Sequence, residues 1–242
     1  MTEKGNIKVG DRSVIQATTD SFYPSSVFYL LDQLKGMACS ATPFGEHGPF
    51  IEFITGVDLI LCADMGAEPA DFIISSPEKL VYAHVKCGKT KNPESSAGAI
   101  AEVGGQAIKN IEMLISNNKY LSAANKGRLI KQWPSDTDSN HLQERVRLLN
   151  RKRFINREQS LEARTKTFNE LWKKVCERRS STLIKKEIWL VTANAFSKSH
   201  FEKQMLRGNS AVGESLQAYQ LIQSYVATAY SNDVELKIFT SE

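Results

Sequence analysis

The sequence predicts a mixed α/β fold, with one central sheet of parallel and antiparallel strands, helices flanking it and a basic helical insertion. Three observations predict it. Three short apolar runs, at residues 57–62, 71–74 and 80–86, follow one another across turn-length gaps, as antiparallel neighbours do. A helical pattern with a strong apolar stripe comes next, from about Ser95 to Ile115. Two further runs, 187–192 and 234–240, bracket a second helical pattern at 213–229, the spacing of a parallel crossover.

Taken in order, residues 1–19 are mixed, and the alternation at 13–17 suits a lead-in strand. Turn chemistry at 20–26 caps a predicted helix over 26–35, with Val27, Leu30, Leu31 and Leu34 on one face and Gly36 as its stop. Residues 41–49 are rich in Gly and Pro and read as an exposed loop. They lead to a predicted strand at 50–55, on which Glu52 lies opposite Ile51 and Phe53. After the three-strand unit, Ile100, Val103, Ala107, Ile108, Ile111, Leu114 and Ile115 form the stripe of the following helix, with Glu102, Gln106 and Lys109 opposite. Residues 116–138 read as polar and irregular, and a basic helical stretch is predicted over 139–179. The strand at 187–192, a polar link at 194–200, the helix at 213–229 and the strand at 234–240 complete a single domain of 242 residues. Within it the catalytic core spans about 50–115, the basic segment about 126–182 and the C-terminal unit about 186–241.

This length supports one substantial core, and 41% hydrophobic with 24% charged residues is ordinary for a soluble globular protein. There is no run of eighteen apolar residues, and the start, Met1-Thr2-Glu3-Lys4-Gly5, lacks a positive flank before an apolar segment. The expectation is a cytoplasmic protein, neither membrane-spanning nor secreted. Its four cysteines, Cys39, Cys62, Cys87 and Cys176, form no C-x-x-C pair and read as reduced thiols. The net charge of +4 is uneven: residues 1–125 hold ten Lys or Arg against fourteen Asp or Glu, residues 126–182 hold fifteen against seven, and the rest balance at six against six. A basic segment directly after the predicted core suits a nucleic-acid backbone, although such a run is also a common solvated helix face.

Chemistry concentrates on Asp71, His84 and Lys86. A carboxylate opening one strand and a polar-x-Lys closing its hairpin partner bring three side chains to one end of a sheet, a geometry that suits a divalent cation. Asp71, twelve intervening residues and then His84-Val85-Lys86 resembles the core of the PD-(D/E)XK nucleases. Ala70-Asp71 stands where that family has Pro-Asp, and His84-x-Lys86 where it has (Asp/Glu)-x-Lys, over about a quarter of the chain. The resemblance implies a restriction-endonuclease-like sheet and metal-dependent hydrolysis of DNA phosphodiesters with Mg²⁺ or Mn²⁺. Asp71 then supplies the carboxylate ligand and the Val85 carbonyl a neutral oxygen, while Lys86 orients the attacking water and offsets phosphate charge. His84, where the family most often has an acid, ligates as neutral imidazole or bonds the water or phosphate. Glu68, or else Asp64 or Glu52, would add an oxygen, and Gln106 or Glu102 would complete the site from the helix. Lys89 and Lys91, at the entry to that helix, would bind a backbone phosphate, joined by Arg151, Lys152 and Arg153 of the basic segment. His141 and His200 read as surface residues. The wider likeness is to nuclease regions of bacterial anti-phage and helicase-linked systems, which implies DNA, a helicase or other defence subunit, and a second copy of the chain as candidate partners. A catalytically inactive nucleic-acid-binding module and an assembly subunit remain the alternatives.

Overall fold

The computed structural model describes residues 2–4, 6–9, 12–15, 22–24, 26–34, 50–66, 68–88, 93–118, 120–133, 144–154 and 159–241. Lys89, Lys91, His141, Cys39, Gly36 and the 41–49 loop lie outside them.

A two-stranded hairpin, β1 (Asn6–Val9) with β2 (Arg12–Ile15), precedes helix α1 (Val27–Asp32). Ser26 caps α1 by accepting from the Tyr29 N–H at 3.1 Å, the role its hydroxyl predicts. Three strands then form an antiparallel meander: β3 (Leu59–Cys62), β4 (Phe72–Ser75) and β5 (Lys79–Val85). Helices α2 (Ala97–Lys109), α3 (Ile111–Ile115) and α4 (Ala123–Ile130) follow. Next come the short hairpin β6 (Val146–Leu149) with β7 (Lys152–Arg153) and the long helix α5 (Leu161–Ser180). Strand β8 (Lys185–Ser197), helices α6 (Lys198–Met205) and α7 (Gly213–Tyr230) and strand β9 (Val234–Ser241) finish the chain.

Seven strands make one mixed sheet in the order β7-β6-β3-β4-β5-β8-β9. The pairs from β7 to β5 are antiparallel, and β8 lies parallel to β5 and to β9. The connection from β5 to the parallel β8 runs through helices α2, α3 and α4, the β6–β7 hairpin and α5, well beyond the roughly dozen residues a parallel pair requires. The sheet buries both faces, so its central strands carry apolar residues at successive positions. Leu59, Leu61, Ile73, Leu80 and Tyr82 pack on Val103, Ala107 and Leu114 of α2 and α3 and on Phe168, Leu171 and Val175 of α5. On the opposite face Ile60, Phe72, Ile74, Val81 and Ala83 meet Phe22, Phe28, Leu31 and Trp133. Among the described residues no helix is long and apolar enough to cross a membrane.

Four expectations about elements are corrected. Residues 50–55 form a turn, not a strand; Phe50 and Ile54 are buried, and alternation alone mimicked a strand. Helix α4 occupies part of the stretch read as irregular, with Leu129 buried against the core. The basic segment read as one helix begins as the β6–β7 hairpin, whose turn places Asn150 and Arg151 at φ 51° and 66°, the left-handed pair of a tight hairpin. Finally, β8 runs on to Ser197 and α6 follows at once, where a polar link was expected.

A buried ion pair ties the hairpin to α1. Arg147 donates from Nε to Asp32 Oδ1 at 2.8 Å and from a terminal nitrogen to Oδ2 at 2.9 Å, both side chains being fully buried. Burial alone would raise the Asp32 carboxyl, but Arg147, joined by Arg153, outweighs it and holds the group below the usual carboxylate range. Asp58, just before β3, is held in the same way by Arg178 and Lys174 of α5 at 2.6–2.7 Å.

Candidate metal centre at the end of the meander

Asp71 sits one residue before β4. Its N–H donates to the Ala83 carbonyl at 3.0 Å and its carbonyl accepts from Ala63 at 2.8 Å, so β3 and β5 fix its backbone from both sides. The side chain then replaces a main-chain partner in the ladder, Oδ2 accepting from the Val85 N–H at 2.8 Å. It is therefore the N–H of Val85 that meets Asp71, whereas the sequence pointed to the Val85 carbonyl as a ligand.

Asp64, Glu68 and Asp71 form a group in which one oxygen from each carboxylate lies within 4.8 Å of the others. Asp64 is delivered by the turn after β3. Its carbonyl accepts from the Arg145 guanidinium at 2.7 Å and its Oδ2 from the Trp133 indole N–H at 2.9 Å. Glu68 bends back so that its Oε2 accepts from the Met65 N–H at 3.3 Å, and Asn110, at the end of α2, holds its carbonyl at 2.9 Å. Crowded carboxylates in a buried place resist ionisation. Burial first, and the neighbouring Asp64 second, push the Asp71 carboxyl well above its ordinary value.

Beside this group, in addition to the Arg145 guanidinium, lies Lys4. Its Nζ lies 2.9 Å from both Asp64 oxygens. Burial would lower the Lys4 ammonium, but Asp64 outweighs that and pushes it up to about 12. No pattern in the sequence links Lys4 to residues sixty positions away, and Trp133 and Arg145 likewise carried no local signal.

Lys86 follows the Tyr82 and His84 side of β5, toward α2, and pairs with Glu102 at 2.5 Å with both side chains substantially exposed. The stripe of α2 packs as expected, yet Glu102, on its exposed flank, still comes within reach of the long Lys86 side chain. Gln106 is exposed on the same helix and Glu52 is exposed on its turn. His84 is 2% exposed, with burial lowering its imidazole to about 4, so it is neutral at pH 7. It is not one of the three residues of the carboxylate group, and among the described residues no hydrogen bond to its side chain is formed.

Part of the basic segment is engaged within the protein. Arg153, expected on nucleic acid, donates to Asp32 Oδ2 at 2.8 Å and to the Asp32 carbonyl. Arg151 is exposed at the hairpin turn, and Lys152 lies over the Phe154 ring at 5.7 Å. His200, expected at the surface, is a partly buried acceptor: its Nδ1 takes the Ser95 N–H at 3.1 Å and lies 2.8 Å from the Ser95 hydroxyl, which also bonds Ser215. That network joins the start of α2 to α6 and α7.

Three carboxylates at one sheet end are a hard, all-oxygen donor set, which fits Mg²⁺ or Mn²⁺ without the imidazole. Compared with protein-family models, with curated proteins and with solved structures, the chain matches none of them.

Proposed function

We propose that the chain is a metal-dependent nuclease that hydrolyses DNA phosphodiester bonds, of the PD-(D/E)XK type, serving in bacterial anti-phage defence or restriction. The observation that carries the reading is the convergence of Asp64, Glu68 and Asp71 at the end of an antiparallel meander. The sheet supports it as well, because α2 follows the meander and β8 lies parallel beside β5.

Asp64, Glu68 and Asp71 would hold the metal ion, whose chemistry is to polarise the phosphate and make water a better nucleophile near neutral pH. The Val85 N–H fixes one Asp71 oxygen and leaves the other for binding. Lys86 exchanges Glu102 for a phosphate oxygen. An ion pair between side chains 38% and 51% exposed contributes about 0–1 kcal/mol, so that exchange is easy. The exposed Arg151 and Lys152 offer backbone contacts. Incubation of the pure protein with supercoiled DNA and with RNA, under Mg²⁺, Mn²⁺ or EDTA, tests the reading: nicking that needs metal and is lost in Lys86→Ala supports it.

A second reading is favoured by the Lys86–Glu102 pair, which occupies the lysine in the structure: a nucleic-acid-binding or assembly module without catalysis. It predicts salt-sensitive DNA binding with no cleavage under any metal.

A further inference from the structure

Helix α7 carries one charged residue, Glu214, among eighteen, and none from Leu216 to Tyr230. A helix at the surface ordinarily shows charge on its outer side. One side of α7 is covered: the Tyr225 hydroxyl donates to the Ala101 carbonyl of α2 at 3.5 Å, and Leu221 and Ile222 pack with Ala97 and Ile100. Tyr219, Val226 and Tyr230 lie on the flank opposite Leu221 and Tyr225 and are 45%, 42% and 83% exposed. Because α7 rests on β9 as well as on α2, that flank overhangs the outer side of β9. Strand β9 ends the sheet. It bonds to β8 along one edge, and among the described residues nothing pairs with the other. Eight residues without a proline thus present a row of backbone donors and acceptors outward.

We propose that the outer edge of β9, flanked by Tyr219, Val226 and Tyr230, is a self-association surface, on which a second copy of this chain adds its own β9 antiparallel about a two-fold axis at Leu236. The strand is its own complement in charge. With the axis at Leu236, Glu235 stands opposite Lys237 of the second copy and Lys237 opposite its Glu235, so one contact is made twice, as a two-fold interface requires. Moving the axis by one residue sets Glu235 against Glu235, or Lys237 against Lys237, and like charges directly opposite destabilise a pair. The two charges therefore select a single register. In that register Val234 meets Ile238, and Leu236 meets Leu236, on the face that α7 covers. The charges lie on the other face, where Glu235 bonds Lys185 at 3.2 Å and Lys237 at 3.4 Å, while Lys237 also holds the buried Glu187 at 3.0 Å. Lys237 keeps Glu187 and gains the Glu235 of the second copy. The charge-free flanks of the two α7 helices then close over the joined strands, and the sheet runs on through both molecules. The carboxylate group plays no part in this, since β8 separates β9 from the meander.

Sedimentation velocity of the full chain across the micromolar range tests this. Wild type is expected to shift from monomer to dimer as concentration rises. Glu235→Lys sets lysine against lysine at both outer pairs and is expected to weaken the dimer about tenfold or more. Val226→Lys, at an exposed helix position, acts in the same direction without touching β9. A measurement on the unaltered protein guards against a misfolded variant: the amides of β9 are expected to exchange hydrogen several-fold more slowly at high protein concentration than at low, while those of β7, at the opposite edge of the sheet, keep their rate. Wild type that stays monomeric throughout would overturn the proposal. So would a dimer that both variants leave intact, or one whose formation does not slow exchange in β9, because the contact would then lie elsewhere.

Discussion

Asp71 and His84 are both buried, and burial acts on them in opposite directions. The Asp71 carboxyl is raised by desolvation and by Asp64, so its folded form holds a proton more tightly than the unfolded chain does. Any stability from that proton is present below the ordinary carboxylate range and is lost as pH rises through the raised value. Asp71→Asn keeps an oxygen for the Val85 N–H and removes the charge. In EDTA at neutral pH it is therefore expected to be at least as stable as wild type, and urea unfolding at pH 5 and pH 8 checks this; a clear loss of stability at pH 8 would contradict the account. His84, lowered from 6.5 to about 4 by burial, works the other way. The unfolded chain binds its proton more readily, so stability falls as pH drops from 6.5 to about 4, by roughly 3 kcal/mol in all. Replacing it by Gln should flatten the acid limb of the urea midpoint against pH, and an unchanged limb would mean that the imidazole titrates freely. At this scale Asp71 was legible, because an acid opening a strand is a local pattern. Lys4 was not, since only the folded backbone brings it to Asp64.

Among the elements, the meander was the most readable part. Its three strands were expected within one or two residues of where they lie, because short apolar runs divided by turn residues have few other solutions. The β6–β7 hairpin was read as helix because its arginines looked like a charged face. Arg147 is instead a core residue, made tolerable by Asp32 at a separation of 115 positions that no local pattern reports. Arg147→Met should thus destabilise the protein by about 3–5 kcal/mol in urea unfolding, because it leaves Asp32 buried and short of its main partner. Combining it with Asp32→Asn should restore part of the loss, and strictly additive losses would argue against the pair. Gly88 sets another limit between elements. A Cβ there would lie 2.5 Å from the Asn194 carbonyl and 2.8 Å from the Ala195 Cα, where β8 bulges with Ala193 at φ 39°. Those neighbours are backbone and cannot swing aside. Gly88→Ala is expected to cost about 1–3 kcal/mol, and a variant as stable as wild type would show that β5 and β8 separate more freely beyond Val85 than the structure implies.

For the whole molecule, the mixed α/β sheet expected from the sequence is present, with the crossover strands β8 and β9 on one side of the meander and the β6–β7 hairpin on the other. The uneven charge tells a different story. Of the Lys and Arg among the described residues of 126–182, eight (Arg145, Arg147, Arg153, Arg164, Lys173, Lys174, Arg178 and Arg179) bond or pair with protein groups within the fold. Composition counts charges but does not say which are already neutralised. The salt dependence of DNA binding should accordingly be shallower than fifteen phosphate contacts would give, reflecting about half that number or fewer. Cleavage is the larger claim, and nicking of supercoiled plasmid tests it most directly, with wild type and Asp71→Asn compared under Mn²⁺, Mg²⁺ and EDTA. Nicking by wild type with either metal, none in EDTA and none by Asp71→Asn is the predicted result; no nicking by wild type with any metal, or equal nicking by Asp71→Asn, would contradict it.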